Sequence, residues 1–345
     1  MDMKRFVTLA LIFFSMNIYA SPSYTDVIVF GDSLSDVGNL DFMNYPGGAA
    51  EGQTYGPRFS NGPLVVEYIA SELLGVDDIE QALQPSLHLT GNIIGSNFAV
   101  AAAKSLDDDG SLLTPDINLP TQVNAYLAAQ QGIAHDNALF FLSIGGNDVR
   151  AARDIVLSDS NIENAIKNRL SAYSYVYDSV TSTAENLNLL LKSGAKDIMI
   201  LGTPNMALTP ESALITNQLI ESSSNSLEKL SAMSLPKLVS DLSKFYQFNL
   251  KYEIKKLQKR YPGSNLIYID LMKLVDSVNK QPEHFGFTNT THACNYILST
   301  FPVAEPTSEC LVDQGYLYFD ELHPTTKANL IVAERALKQL ISVKH

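Results

Sequence analysis

The chain has 345 residues, 46% of them hydrophobic, and carries a formal net charge of −13 at pH 7. That length and apolar content suffice for one large α/β core, while the acidic balance argues against a nucleic-acid partner, whose phosphates are met by basic patches. No internal repeat or low-complexity tract interrupts it.

At the N-terminus Lys4-Arg5 precede an apolar stretch, 6–18, that closes on Ile18-Tyr19-Ala20. This is the pattern of a secretory signal peptide over 1–20, cleaved after Ala20. The stretch is shorter than the roughly 20 apolar residues that span a bilayer, and no later segment approaches that length. The expectation is an exported protein, periplasmic or extracellular, with no transmembrane anchor. Losing Asp2, Lys4 and Arg5 moves the net charge from −13 to −14, so any peripheral contact with membrane lipid is mainly apolar.

The first strand is predicted over 26–30, ending at Gly31 with Ser33 just beyond. A glycine-rich irregular stretch, 41–60, and a helix over 63–74 follow. A second strand is expected over 92–100, a helix over 120–130, a strand over 138–144 and a helix over 161–192. Gly194 punctuates the step into a strand over 197–201. Parts of 224–260 are helical, and Tyr261-Pro262-Gly263 separates them from a strand over 266–269. A second irregular stretch, 276–313, precedes a closing helix over 325–343. Strands alternating with helices predict a single domain from residue 21 onward, with a mostly five-stranded parallel sheet.

Open parallel sheets bind ligands beyond the carboxyl ends of their strands, so the loops after strands are where chemistry is sought. Ser33 lies in such a loop, within Phe30-Gly31-Asp32-Ser33-Leu34-Ser35-Asp36. A serine hydroxyl needs a base within hydrogen-bonding reach. His323 is the candidate, and Asp320, three residues before it in Asp320-Glu321-Leu322-His323-Pro324, falls on the same face of a helical turn. Gly145-Gly146-Asn147-Asp148 after the third strand offers an Asn amide to a developing oxyanion. Each segment alone has a plainer reading: Ser33 as a turn cap, Asp320-x-x-His323 as a helix start before proline, Asn147 as a turn former. Together they point to a serine hydrolase.

These three blocks resemble those of the GDSL lipases, or SGNH hydrolases. The resemblance implies a three-layer αβα flavodoxin-like fold and ester hydrolysis. It also implies Ser33 as nucleophile and oxyanion donor, Asn147 as a second donor, Asp320 and His323 completing the triad, and no cofactor. A backbone amide from a glycine is the family's third donor. Here Asn97-Phe98-Ala99-Val100-Ala101-Ala102-Ala103 resembles that block with alanines in place of glycines, and Ala102 is the best-aligned donor. Its amide can still donate, although a left-handed backbone at Ala102 costs about 1 kcal/mol. Arg58-Phe59-Ser60-Asn61-Gly62-Pro63, Phe285-Gly286-Phe287-Thr288-Asn289 and the late cysteines resemble the branch of exported bacterial lysophospholipases and glycerophospholipid:cholesterol acyltransferases.

That branch implies a lysophospholipid or phospholipid substrate, with cholesterol as an alternative acyl acceptor to water. Two other readings stay open: an esterase of short-chain or carbohydrate acetyl esters, and a non-enzymatic exported α/β binding protein. The loop 289–313, carrying Tyr296, Ile297, Leu298, Phe301, Val303 and Leu311, is apolar enough to line a lipid-tail pocket or to form a lid, and a simple packed loop is the alternative.

The two cysteines, Cys294 and Cys310, meet oxidising conditions in an exported protein, and closing their loop is worth about 3 kcal/mol in the chain-entropy model. Two unpaired buried thiols are the alternative. Gly-x-Ser-x-Gly, P-loop, Gly-x-Gly-x-x-Gly and His-Glu-x-x-His patterns are absent from the sequence. His284, His292 and Cys294 are close in sequence, but a metal reading competes with the disulfide. Asp32, Asp36 and Asp148 flank the candidate site, where paired-carboxylate glycoside cleavage is weaker than a supporting role. Lys244, Lys251, Lys255, Lys256, Lys259 and Arg260 read as a solvated helix face rather than a lipid head-group patch.

Overall fold

The structure is a computed structural model that describes residues 24–42, 57–107, 116–158, 164–295, 310 and 315–344. The predicted signal peptide and the apolar loop residues from Tyr296 to Leu311 lie outside them.

Four strands form a parallel sheet in the order β1 (Asp26–Gly31), β2 (Ala138–Ser143), β3 (Asp197–Leu201) and β4 (Asn265–Ile269). Both faces are covered, so the strands read as continuous apolar runs such as Ala138-Leu-Phe-Phe-Leu-Ser143, every residue of which is buried. The α-helices of the described residues are α1 (Asn39–Phe42), α2 (Val65–Leu74), α3 (Leu119–Ala129), α4 (Gly146–Leu157), α5 (Ala165–Lys192), α6 (Pro210–Ser222), α7 (Ser226–Arg260), α8 (Leu271–Lys280) and α9 (Thr326–Lys344), with short 3-10 turns between some of them and a short parallel pair, β5 (Asn289–Ala293) and β6 (Tyr316–Tyr318), beside α9.

Side chains alternate between the two layers. Ile28, Phe30, Phe140, Leu142, Ile198 and Ile200 face α3, α4, α5 and α7. Val27, Val29, Leu139, Phe141, Met199 and Ile267 face α2 and α9, with Leu271 of α8. This is the expected three-layer αβα, flavodoxin-like arrangement.

The second predicted strand, 92–100, departs from expectation. Only its later half runs beside β1: Val29 N–H donates to the Ser96 carbonyl at 3.0 Å, Phe98 N–H to Val29 at 2.7 Å and Val100 N–H to Gly31 at 3.1 Å. Asn97 makes isolated bridges to Val29 and Pro85 rather than a regular ladder, with the Gln84–Ser86 backbone and side chains sharing its outer edge. Asn39 Nδ2 donates to the Asn97 and Ala99 carbonyls at 2.7 and 2.8 Å. The sheet therefore has four regular strands and an irregular fifth edge. Chain order reverses at β1, which places a topological switch point between β1 and β2.

Four helices arise where no element, or only a turn, is expected, the shortest being the one-turn α1. Helix α4 starts at the turn predicted around Asn147, α6 is capped by Thr209, whose Oγ1 accepts from Ser212 N–H, and α8 is capped by Asp270, whose side chain accepts from Lys273 N–H. Helix α7 continues through Pro236 because Ala232, Leu235, Leu238 and Val239 on its flanks are buried, outweighing the lost hydrogen bond. Its basic residues lie on the outer face, where Lys251 pairs with Asp270 and Lys256 with Glu253.

Candidate active site

β1 ends in Gly31, at φ 153°, where any Cβ would collide with the Ser143 carbonyl oxygen of β2. Glycine is therefore required for β1 to stay tight against β2 as the chain turns into the Ser33 loop. Asp36 locks that turn: its Oδ1 accepts from Gly38 and Asn39 N–H at 2.8 and 2.7 Å, its Oδ2 from Leu40 and Ala101 N–H at 3.1 and 2.8 Å. One carboxylate thus fastens the Ser33 turn to the alanine block at 99–103. Asn97 adds a second tie by donating to the Ser35 carbonyl at 2.6 Å.

Ser33 Oγ lies 2.7 Å from His323 Nε2, and His323 Nδ1 lies 2.7 Å from Asp320 Oδ2. The two contacts define the tautomer: Nδ1–H donates to the carboxylate, and Nε2 accepts from the serine hydroxyl. All three residues are buried, Ser33 at 7%, His323 at 3% and Asp320 at 2% exposure. The other Asp320 oxygen accepts from Leu322 and His323 N–H at 2.8 and 2.7 Å, so the carboxylate turns its own loop back on itself. The predicted Asp-x-x-His spacing works through this Asx-type turn; the helix begins only at Thr326.

The loop is held by the segment Arg58–Pro63. The Phe59 ring packs against His323 with centroids 5.1 Å apart, and Ser60 Oγ donates to the Pro324 carbonyl at 2.9 Å. Asn61 Oδ1 accepts from Thr326 N–H at 2.8 Å, while its Nδ2 donates to the Cys310 carbonyl at 3.1 Å. Cys310 is disulfide-bonded to Cys294. The Cys294 sulfur is therefore no thiolate ligand, and its neighbour His292 places Nδ1 3.0 Å from Thr291 Oγ1. Arg58 anchors the segment through a bidentate pair with Glu67, both buried.

Asn147 stands in the first turn of α4, after Gly145 at φ 116°, where a side chain would meet the Tyr246 ring. It lines the same cleft as Ser33 and His323. Its Nδ2 donates to the Ala103 carbonyl at 3.0 Å, and its Oδ1 accepts from Arg150 at 3.0 Å. Ala102 is exposed and adopts a left-handed backbone, φ 67°. Among the described residues no partner for its N–H is found, nor for that of Ser33. Of the three predicted donors, Ser33 and Asn147 line the cleft, whereas Ala102 is not among its lining residues.

Of the three flanking carboxylates, Asp36 and Asp148 are consumed by structure. Asp148 accepts from Ser105 N–H and Ser105 Oγ, each at 3.0 Å. Asp32 differs: it lines the cleft, and burial pushes its carboxyl up to about 7 against the opposing pull of the Leu34 N–H and His323.

The cleft, about 1040 Å³ with the solvent at its mouth included, runs from Ser33 past the ends of β2 and β3 into a passage between α8 and α9. Leu271, Leu274, Val275 and Val278 of α8 face Ala328, Ile331 and Val332 of α9 across it. Sequence reasoning assigned an apolar pocket to the 289–313 loop and missed this lining. The signal was an Leu271-x-x-Leu274-Val275-x-x-Val278 stripe at helical spacing.

The family model for the GDSL-like lipases/acylhydrolases matches residues 27–336. The chain belongs to that family. Two GDSL esterases/lipases of Arabidopsis thaliana are similar to it: one is 25% identical, covering 96% of this chain and 92% of its own length, the other 26% identical, covering 94% and 92%. A solved structure of a member of the lipolytic protein G-D-S-L family from Veillonella parvula covers 91% of this chain and 96% of its own at 11% identity and a TM-score of 0.39. With the family, the hydroxyl–imidazole–carboxylate chain reads as that of a carboxylic ester hydrolase.

Proposed function

We propose that the protein is an exported lipase that releases fatty acid from lysophospholipids and phospholipids, with Ser33, His323 and Asp320 as its triad. As Ser33 Oγ attacks the ester carbonyl, His323 Nε2 takes its proton. The Ser33 and Ala102 amides, with the Asn147 side chain, hold the oxyanion. His323 then gives the proton to the leaving alcohol, the C–O bond breaks, and an acyl-enzyme remains. Water, deprotonated by the same imidazole, releases the fatty acid; a sterol hydroxyl such as cholesterol's in that place gives acyl transfer instead.

The observation that carries the lipid reading is the apolar passage between α8 and α9, which begins at the serine. An acetyl group would fill only its mouth, whereas a long chain would bury apolar surface at roughly 25 cal/mol per Å² along its length. Exposed Ile166 and Leu170 of α5 and Leu227, Leu230 and Met233 of α7 supply apolar contacts for a membrane surface. The leader-like 1–20 supports export.

The test is fatty acid release from lysophospholipid, phospholipid and acetyl esters, with and without cholesterol, alongside organophosphonate labelling of Ser33. Long acyl chains are expected to outrun acetyl esters by at least about tenfold in kcat/KM, since each tenfold corresponds to about 1.4 kcal/mol. A preference for acetyl esters would overturn the lipid assignment, and full activity in Ser33→Ala would overturn the triad.

A further inference from the structure

Asn147 acts on an oxyanion only if its amide is turned with nitrogen toward the cleft, and an isolated Asn side chain has two nearly isosteric orientations. Its Nδ2 donates to the Ala103 carbonyl at 3.0 Å, and one helical turn later Arg150 Nη1 donates to Asn147 Oδ1 at 3.0 Å, so nitrogen and oxygen are each held from one side. A guanidinium has no acceptor, so with Arg150 in place only the oxygen can face it. A cation on the oxygen also draws charge from the amide and makes its N–H a better donor.

Arg150 is itself held. Its Nε lies 3.1 and 3.0 Å from the two Glu211 oxygens, with Nη2 completing a fork, and Arg153 Nη1 reaches the same carboxylate at 2.8 Å. Burial alone would raise the Glu211 carboxyl, but the two arginines outweigh it and hold it below its usual range. Glu211 stands in the first turn of α6, and its backbone N–H donates to the Glu321 carbonyl at 2.8 Å. Glu321 lies between Asp320 and His323. One residue therefore touches the triad loop with its main chain and, through Arg150, the oxyanion amide with its side chain.

We infer that Arg150, gripped by Glu211, is a positioning residue that, opposite the Ala103 carbonyl, fixes the amide of Asn147 for oxyanion stabilisation and ties it to the Asp320–His323 loop. The inference rests on the ester-hydrolase reading of the site. Arg150 contributes through Asn147, so its removal affects the transition state and leaves ground-state binding alone.

The experiment is a double-mutant cycle on Arg150→Ala and Asn147→Ala, with kcat and KM measured separately on one long-chain ester and Tm recorded for each variant. Arg150 is partly exposed, so Arg150→Ala is expected to fold. Asn147→Ala is expected to lower kcat about 10²–10³-fold. Arg150→Ala is expected to lower kcat at least about tenfold with KM unchanged, and the double variant to be no worse than Asn147→Ala alone, because the arginine has nothing left to orient. Arg150→Lys, lacking the fork, is expected to recover only part of the loss. A wild-type kcat in Arg150→Ala, or losses that multiply in the double variant, would overturn the inference. A wild-type kcat in Asn147→Ala would instead overturn the assignment of the oxyanion site on which it rests.

Discussion

The two halves of the site are built differently. Ser33 is an extension of the core: β1 is buried, Gly31 presses on β2, and the turn is fastened by four backbone N–H groups converging on Asp36. His323 hangs from the far end of the chain in a loop outside the sheet. Its position depends on side chains that reach across more than 260 residues of sequence, Ser60 to Pro324 and Asn61 to Thr326. The nucleophile is placed by the same packing that makes the fold, whereas the base is placed by a handful of polar contacts. Damage to the second half should therefore appear as lost turnover before lost structure.

The sharpest break in the comparison is His323→Ala, which is expected to lower kcat about 10⁴–10⁶-fold while leaving Tm nearly unchanged. A collapse in Tm would mean that the loop belongs to the core after all. Arg58→Ala should act oppositely on the anchor segment. It strands the Glu67 carboxylate in the interior and should cost about 3–5 kcal/mol in urea unfolding, with activity falling as the segment loosens. A loss under about 1 kcal/mol would show that Glu67 finds water or another donor.

Cys294→Ser is expected to cost about 3 kcal/mol. It should also reduce turnover, because Asn61 donates to the Cys310 carbonyl as well as holding Thr326. Unchanged hydrolysis in that variant, or in the reduced protein, would separate the disulfide from the triad loop.

The remaining effect concerns Asp32, on the nucleophile side. Its folded carboxyl is raised to about 7, above the ordinary 3.8. The native state therefore holds a proton that the unfolded chain has released, and stability declines as pH rises from about 4 to 7. Asp32→Asn is expected to flatten that decline, raising Tm at pH 8 relative to wild type more than at pH 4. Parallel Tm–pH curves for the two proteins would refute it.

The sequence displayed the strand-end Ser33, the Asp320–His323 spacing and the Asn147 turn, because each is a local pattern bounded by an apolar run or a glycine. It displayed all four regular strands to within a residue at each end, since strands buried on both faces leave unbroken hydrophobic stretches. The edge at 92–100 misled because a hydrophobic stretch does not reveal that Asn39 and Asn97 will satisfy the backbone in place of a ladder. Helix α8 falls half in residues with no predicted element and half in a stretch that reads as irregular, and with it was hidden the apolar passage, whose other wall comes from α9, more than fifty residues later.

Arg150 and Glu211 carry no local signature: their meaning depends on α6 arriving beside α4 with its first turn against the triad loop. By itself the chain determined which residue types stand where strands stop, because periodicity and turn chemistry act over a few neighbours. Folding in three dimensions decided which of those ends meet, how the His323 loop is suspended and where an acyl chain can lie. Those depend on contacts between residues as far apart as the 61 positions from Arg150 to Glu211 and the 290 from Ser33 to His323, whose pairing no short-range pattern encodes.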